Sequence, residues 1–340
     1  MKNNKATIHD IAAKLNITAS TVSRALNNNP RISDETKKKV LKVAKQINYQ
    51  PNHIASALRS GKSKLIGVIV PTANRNFFSS VIRGIEDLAN SLNYKVIISQ
   101  SYDEYDKEVQ NIEALINARV DGIIASFGKM TENFDHFHKV IEKGIPLVLF
   151  DRTADVLDVS HVILDDYLGA YQAVDHLIKN GCKRIVHFTN VQRINIYRER
   201  KRGYEDALKA NGLEVDPSLI LYGNMQLEDG RRLTEEIIQK KVDFDGIFSS
   251  ADYAVMGALQ VLKEHGIAVP GQVKLAGFGN EPFTSFSDPT ITTVDQKSIS
   301  MGKITAEMFF EMLNGNTNGQ VAIAKKTILK PELIIRDSSK

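Results

Sequence analysis

Polar side chains that could bind a small molecule follow several apolar runs that predict buried β-strands. Because the carboxyl ends of parallel strands meet at one edge of a sheet, we expect these side chains to lie close together. Carboxylates, amides and arginines with a few aromatic rings suit a polyol, which needs paired hydrogen bonds and an apolar face. The candidate binding residues are Asn76, Phe77, Phe78, Asp151, Arg152, Asn195, Arg200, Met225, Asp252, Asn280 and Glu281.

Three of the neighbouring residues have two readings each. Asp165 could hold its own loop together or touch the ligand, and the sequence does not separate the two. Phe77 and Phe78 could line the site or begin the core face of the next helix, and one of each is expected.

No catalytic constellation is predicted. The sequence has no G-x-S-x-G, no H-E-x-x-H and no paired cysteines, and no cofactor or metal site is expected. His136 and His138 lie two apart on a predicted helix, which places their rings on different faces and predicts a solvated surface. Cys182 could have a lowered pKa beside Lys183 and Arg184, or could be a small residue at a turn before a strand.

A second polar group lies on a short predicted helix near the N-terminus. Its exposed side would present Ala19, Ser20, Ser23 and Arg24. A helix fits the major groove of DNA, where arginine makes paired hydrogen bonds to guanine and serine donates or accepts a hydrogen bond. The predicted DNA contacts are Thr7, Ala19, Ser20, Thr21, Ser23, Arg24 and Asn27. The alternative is a small helical bundle that binds another protein.

The elements that position this helix follow a helix-turn-helix pattern. Thr7 and Asp10 form a capping box at the start of a helix, and Asn16 suits a left-handed turn after it. Thr18 can cap the second helix, and Ser33 can cap a third whose apolar positions are Val40, Val43, Ala44 and Ile47. Small Ala12 and branched Val22 let the first two helices pack closely.

Charge separates this head from the rest of the chain. Residues 1–62 carry twelve Lys or Arg against three Asp or Glu, a net of +9, whereas the remainder has a net of −5. A small basic head is the electrostatic footprint of a polyanion partner. The 340 residues, 42% of them hydrophobic, suggest two or three domains with a sizeable core.

From Lys64 onward, nine apolar strand patterns alternate with amphipathic helices, which predicts parallel sheets with helices on both faces. Nine strands suit two doubly wound lobes better than one sheet, and two facing lobes make a ligand cleft at the strand ends. No stretch is apolar enough for a membrane span, and the polar N-terminus does not predict a secretory leader. With one cysteine, these features favour a reducing cytoplasm.

The motifs of residues 7–63 resemble the head and hinge of the lactose-repressor (LacI/GalR) family. They read T-I-H-D-I-A, S-T-V-S-R-A-L-N, Y-Q-P-N and A-S-A-L-R-S-G, and the likeness extends along nearly the whole chain. The resemblance implies an α/β chain with a helix-turn-helix head over 1–50, a hinge over 51–63 and a two-lobed domain over 64–340 like a periplasmic sugar-binding protein. It places one lobe at about 64–163 and 294–323, and the other at about 164–293 and 324–340.

The resemblance also assigns individual residues. In such regulators a hinge helix folds on the operator, with a leucine matching Leu58 wedged into the minor groove; Asn52, Ala55 and Arg59 are its companion candidates. Arg200 matches the family's effector-binding arginine in R-x-x-G-[aromatic]. Gly279 stands where the family often has an effector-binding aspartate, so either Asn280 or Glu281 substitutes, or the ligand differs.

Together these patterns predict a homodimeric transcription regulator. It would bind a pseudo-palindromic double-stranded DNA operator as a repressor and respond to a small effector, a sugar or sugar derivative, between its lobes. A dimer is favoured because residues 331–340 contain no heptad repeat. The alternative is a sugar receptor or sugar-acting enzyme with an incidental basic head.

Overall fold

The computed structural model describes residues 6–50, 61–154, 156–191, 194–316 and 324–340. The chain divides into two compact units, Met1–Ser63 and Lys64–Lys340. The hinge candidates Asn52, Ala55, Leu58 and Arg59 lie outside the described residues and stay predictions.

The first unit contains three helices, α1 (Ile8–Leu15), α2 (Ala19–Leu26) and α3 (Asp34–Gln46). Asn16 ends α1 in the left-handed conformation, with φ 51° and ψ 44°. The Thr18 hydroxyl begins α2 by accepting the Thr21 N–H at 3.2 Å. The three helices share a small core, which consists of Ile11, Ala12, Val22, Ala25, Val40 and Ala44. The head therefore has the predicted helix-turn-helix architecture.

The larger unit contains two six-stranded sheets. Its strands are β1 (Leu65–Val70), β2 (Lys95–Gln100), β3 (Gly122–Ala125), β4 (Leu147–Phe150), β5 (Ser160–Leu164), β6 (Ile185–Thr189), β7 (Ile220–Tyr222), β8 (Gly246–Ser249), β9 (Lys274–Phe278), β10 (Thr292–Asp295), β11 (Lys326–Leu329) and β12 (Glu332–Ile334). The strand orders are β11-β5-β4-β3-β1-β2 and β12-β10-β9-β8-β6-β7. Every pairing is parallel except that of β10 with β12. The mixed α/β class with two doubly wound sheets is confirmed.

Helices cover both sheets. They are α4 (Asn76–Ser91), α5 (Tyr105–Asn117), α6 (Asp135–Glu142), α7 (Asp166–Lys179), α8 (Asn195–Ala210), α9 (Leu227–Gln239), α10 (Asp252–Glu264) and α11 (Ser298–Asn316). Helix α11 packs on α4 so closely that a Cβ at Gly302 would lie 2.0 Å from the carbonyl oxygen of Val81. Among the residues described, no helix has both the length and the apolar composition needed to cross a bilayer.

The chain crosses between the two lobes three times. We call the lobe with the β1 sheet the first lobe and the lobe with the β6 sheet the second. Strand β10 lies in the second lobe, so the return to the first comes at Ser298 rather than near 294. Strand β11 lies in the first lobe, so the last crossing comes after Leu329 rather than at 324. Strand β10 reads TTVD and β11 reads KTIL, so half or more of the residues in each are polar, which weakens their sequence signal.

Two side chains outside the strand ends, His136 and Cys182, test what the sequence predicted for them. His136 is buried and its Nε2 lies 2.9 Å from Glu108, so the prediction of a solvated surface is wrong for His136, while His138 is exposed. Cys182 is buried, and burial raises the pKa of its thiol to about 12. Its Sγ donates to the Asp245 carbonyl at 3.3 Å, which supports the reading of a packed residue near a turn.

Candidate functional sites

Helix α2 presents a short polar face on the small unit. Ser20, Arg24 and Asn27 are exposed, whereas Ala19, Thr21 and Ser23 are half-buried. The hydroxyls of Ser20 and Thr21 lie 2.8 and 2.9 Å from Thr18 Oγ1, and the Asn27 amide donates to the Ser23 carbonyl at 2.8 Å. These bonds fix both ends of the helix, so its surface is preorganised.

Thr7 lies at the start of α1. Its backbone N–H and its hydroxyl donate to the Asp10 carboxylate at 2.7 and 2.8 Å, and these bonds lower the pKa of Asp10. The Asp10 half of the predicted capping box is therefore present.

The larger unit contains a polar cavity of about 130 Å³ between its two lobes. Segments after the carboxyl ends of β1, β4, β8 and β9 line it, as expected for facing doubly wound sheets. Of the eleven candidates for this site, eight line the cavity: Phe77, Phe78, Asp151, Arg152, Arg200, Met225, Asp252 and Glu281. Phe77 and Phe78 also belong to the hydrophobic core, so each fulfils both readings.

Arg200, on α8, is the most densely bonded side chain of the cavity. Its Nε donates to Asp166 at 2.8 Å, Nη1 to the Ser250 carbonyl at 2.8 Å, and Nη2 to Gln296 at 3.1 Å. The guanidinium carbon lies 3.7 Å from the centre of the Phe278 ring. Burial raises the pKa of Asp166, although Arg200 opposes the shift. Arg200 is thus held rigidly at the cavity wall.

Arg152 and Asp151 follow β4 on the opposite wall. Arg152 Nη1 donates to Asp103 at 2.5 Å and to the Phe127 carbonyl at 2.9 Å, while its buried Nε lies 3.9 Å from Asp151 and has no hydrogen-bond partner among the described residues. Asp151 is buried with φ 61°, and burial raises its pKa although Arg152 and Arg200 oppose the shift. This wall therefore offers a carboxyl and an N–H to a ligand.

The carboxylate of Asp252 is hydrogen-bonded to other groups of the protein. It accepts the Thr293 hydroxyl at 2.6 Å and the Glu281 N–H at 2.8 Å, and burial raises its pKa to about 6. Gly279 has φ 140°, and a Cβ there would lie 3.2 Å from Asp252 Oδ2. An aspartate at position 279 would bring a second carboxylate toward Asp252, which gives the departure from the family pattern a physical reason.

Glu281 and Asn280 have different surroundings. Glu281 lines the cavity, and burial together with Asp252 raises its pKa to about 7, although Arg75 opposes the shift. Asn280 does not line the cavity. Its amide donates to Asp295 at 3.3 Å and its oxygen accepts Arg336 Nη2 at 2.9 Å. Of the two suggested substitutes, Glu281 is the one that faces the cavity.

Asn195 and Asn76 also lie away from the cavity lining. Asn195 joins the lobes, because its amide donates to the Asp151 carbonyl at 3.0 Å and its oxygen accepts the Thr153 N–H at 3.1 Å. Asn76 begins α4, where its carbonyl accepts the Ser79 hydroxyl at 3.1 Å. Asp165 caps α7 by accepting the Leu168 N–H at 2.9 Å, which matches its loop-holding reading.

Several lining residues were absent from the candidates. They include Arg75, Asp103, Lys129, Tyr197, Gln226, Tyr253 and Gln296. Asp103 follows the end of β2, so the rule that selected the others would have found it. Gln296 follows β10, a strand that the sequence pattern did not predict. Arg75 was visible after β1, but its reach across the cavity depends on the tertiary fold.

Comparison with known proteins identifies the class. Residues 7–52 match the family of bacterial regulatory proteins named lacI, and residues 63–328 match the periplasmic binding proteins and sugar binding domain of the LacI family. The chain belongs to the LacI family. Its class is that of DNA-binding transcription regulators rather than enzymes, as the sequence predicted.

Individual relatives match this chain over almost its full length. The chain is 30% identical to catabolite control protein A of Priestia megaterium over 92% of this chain and 93% of that one. The solved lac repressor dimer bound to operator and the anti-inducer ONPF is 21% identical, covers 99% of both chains and has a TM-score of 0.88. The structure of the regulator CelR in complex with cellobiose is 24% identical, covers 98% of this chain and all of the other, and has a TM-score of 0.74. At these identities the two structures show the shared fold.

Proposed function

We propose that this regulator is a homodimeric repressor whose operator binding is controlled by a sugar or sugar derivative held between the lobes. The observation that carries the proposal is the polar cavity between the lobes, which both lobes line with buried charged groups. The lac repressor structure is described as a dimer on its operator and the CelR structure as a cellobiose complex, and both features extend to this chain as proposals.

The cavity supports effector control because contacts cross it. Arg75 bonds Gln226, and Lys129 Nζ donates to the Asn224 carbonyl at 3.2 Å, so each bridge joins a first-lobe side chain to the second lobe. An effector that bridges both walls binds the closed lobes better than open ones, and this difference in affinity is what shifts a two-state equilibrium. The coupling is reciprocal, so operator DNA changes effector affinity by the same factor.

On DNA, α2 would lie in the major groove with Arg24 reading a base edge and Ser20 beside it. Two heads related by a two-fold axis would read a pseudo-palindrome. Leu58 would wedge into the minor groove at the operator centre, with Asn52, Ala55 and Arg59 supporting it. A regulator that binds chromosomal DNA acts in the compartment that contains the chromosome, so we place this protein in the cytoplasm.

The experiment that tests the proposal is selection of bound sequences from a random duplex pool by the full chain, followed by a panel of sugars. If a palindrome is enriched and one sugar then releases the protein from it, the result would support both sequence-specific operator binding and a sugar effector. A palindrome insensitive to all sugars would refute the sugar effector, and no enrichment would refute sequence-specific binding.

We predict that Arg24→Ala weakens binding to the selected operator by roughly 1–3 kcal/mol and relaxes preference at one base position. The reason is that a bidentate arginine–guanine pair carries information that a phosphate contact does not. Repeating the selection with the variant measures this. Arg31→Ala, which removes an exposed arginine outside α2, is the control and should leave the base preference intact. An unchanged preference in Arg24→Ala would refute its role.

A further inference from the structure

Arg75 lines the cavity and reaches from the first lobe to the second. It precedes α4 in the first lobe, yet its guanidinium carbon lies 3.6 Å from the centre of the Tyr253 ring in the second lobe. Its Nη2 also donates to the side chain of Gln226, which begins α9 in the second lobe. One side chain therefore makes a cation–π contact and a hydrogen bond across the cleft.

Both ends of this bridge are anchored. On the first lobe, the loop before Arg75 is held by the Ala73 N–H, which donates to the Gln100 side chain at 2.7 Å. On the second lobe, the Tyr253 ring packs edge-on against Phe283 with centroids 5.0 Å apart, and the Gln226 N–H donates to Asp229 at 3.0 Å. Because neither end is a loose side chain, the bridge costs little extra ordering when the cleft closes.

The cavity that Arg75 lines is small. The cavity has a volume of about 130 Å³, close to the ~150 Å³ that admits one benzene ring in an engineered cavity. Lys129, which also lines the cavity, makes a second bridge through its bond to the Asn224 carbonyl. Arg75 and Lys129 both line this cavity, so a ligand held between the lobes lies beside both bridges.

We propose that Arg75 is a specificity-determining residue that limits the effector to a single-ring compound by closing the cavity over it. This inference rests on the proposed sugar-controlled function and narrows it. A two-ring sugar must displace the guanidinium from both Tyr253 and Gln226, so it is rejected because its binding breaks the bridge. A single-ring sugar leaves the bridge intact, and the closed bridge then slows its release.

The test is calorimetric titration of the full-length protein with single-ring sugars (glucose, galactose, ribose) and two-ring sugars (cellobiose, maltose, lactose). We expect the wild type to bind at least one single-ring sugar and none of the two-ring sugars. In Arg75→Ala the affinity for that single-ring sugar should fall roughly three- to thirtyfold, the range expected from a cation–π contact. A two-ring sugar that contains the same ring should now bind.

Two further variants keep the result interpretable. Arg75→Lys retains the charge but lacks the planar fork, so it should bind the single-ring sugar with intermediate affinity and admit two-ring sugars weakly. Arg83→Ala removes an exposed arginine on α4, the helix that follows Arg75, and should behave as the wild type. Melting temperatures of all four proteins, measured without sugar, establish that each is folded.

The outcomes separate the two proposals. If the wild type binds a single-ring sugar and Arg75→Ala has the same affinity and the same size preference, the role of Arg75 is refuted while sugar control stands. A wild type that binds two-ring sugars as well as single-ring ones refutes the size limit. If the wild type binds no sugar while its operator selection succeeds, the sugar effector itself is refuted, and the inference falls with it.

Discussion

Asp252 and Glu281 are buried carboxyl groups of the same wall of the cavity, and burial raises their pKa values to about 6 and about 7. They differ in what holds them. Asp252 already accepts two hydrogen bonds from the protein, whereas Glu281 faces the cavity. The first therefore shapes the wall, and the second is available to a ligand as an acceptor or, when protonated, as a donor.

The raised pKa of Glu281 predicts how stability depends on pH. Between the ordinary value of 4.5 and about 7, the folded state binds more protons at this group than the unfolded state does. Its contribution to the free energy of unfolding is thus present below pH 4.5 and is lost as the pH rises through about 7. Glu281→Gln should flatten the fall in stability between pH 5 and pH 7.5, measured by urea unfolding at each pH.

The control for this pH experiment is Glu142→Gln, which neutralises an exposed carboxyl on α6. We expect its pH profile to follow that of the wild type. If Glu281→Gln and the wild type lose equal stability over this range, Glu281 does not titrate there.

Position 279 is a glycine in this chain, whereas the family often has an aspartate there. Gly279→Asp combines the strain of φ 140° with a carboxylate directed at Asp252, and should lower the free energy of unfolding by about 2–4 kcal/mol at pH 7.5. Gly279→Ala carries the backbone strain alone, and should cost about 1–3 kcal/mol. The difference between the variants should shrink below about pH 6, as Asp252 takes up a proton. Equal stabilities at pH 7.5 would contradict the charge argument.

At the scale of elements, a buried cluster fixes the loop between β3 and α6. Glu108, fully buried on α5, accepts the Gly128 N–H at 2.7 Å and the Thr131 hydroxyl at 2.8 Å, and lies 2.9 Å from His136 Nε2. The loop carries Lys129, one of the two bridges across the cavity. The cluster therefore holds a cavity-lining loop without touching the cavity.

We predict that Glu108→Ala lowers the free energy of unfolding by about 3–5 kcal/mol, because it leaves buried donors on the loop and on His136 without their acceptor. Urea unfolding measures the loss. Glu113→Ala, on the same helix, removes only an exposed ion pair with Lys139 and should cost at most about 1 kcal/mol. A comparable loss in both variants would show that the cluster does not stabilise the loop.

The elements also show what the sequence could predict. Strands β1 to β9 were predicted, because continuous apolar runs or strong strand formers mark them. Strands β10 to β12 were not, because polar residues interrupt their short apolar segments, which read TTVD, KTIL and ELI. Missing β10 also hid Gln296, and missing β11 moved the last lobe crossing by several residues.

At the scale of the whole molecule, periodicity, charge and family motifs indicated the class of protein and the position of its cavity. Sequence could not show which polar groups the protein uses for itself. Asn195, Asn280 and Asp165 have the chemistry of ligand contacts, but they bond a neighbouring loop, Arg336 and a helix end. Those assignments depend on distances between segments far apart in the chain, and local patterns carry no such information.

The three lobe crossings have a consequence for the order in which the molecule can be made. Strand β11 completes the sheet of the first lobe and β12 that of the second, and they lie three residues apart in sequence. Helix α11, which covers the first sheet, is also among the late segments. During synthesis the first lobe therefore lacks its edge strand while strands β6 to β10 of the second lobe are translated. Both lobes are completed within the same short interval, so a truncated chain that stops before residue 324 leaves two unfinished sheets rather than one finished lobe.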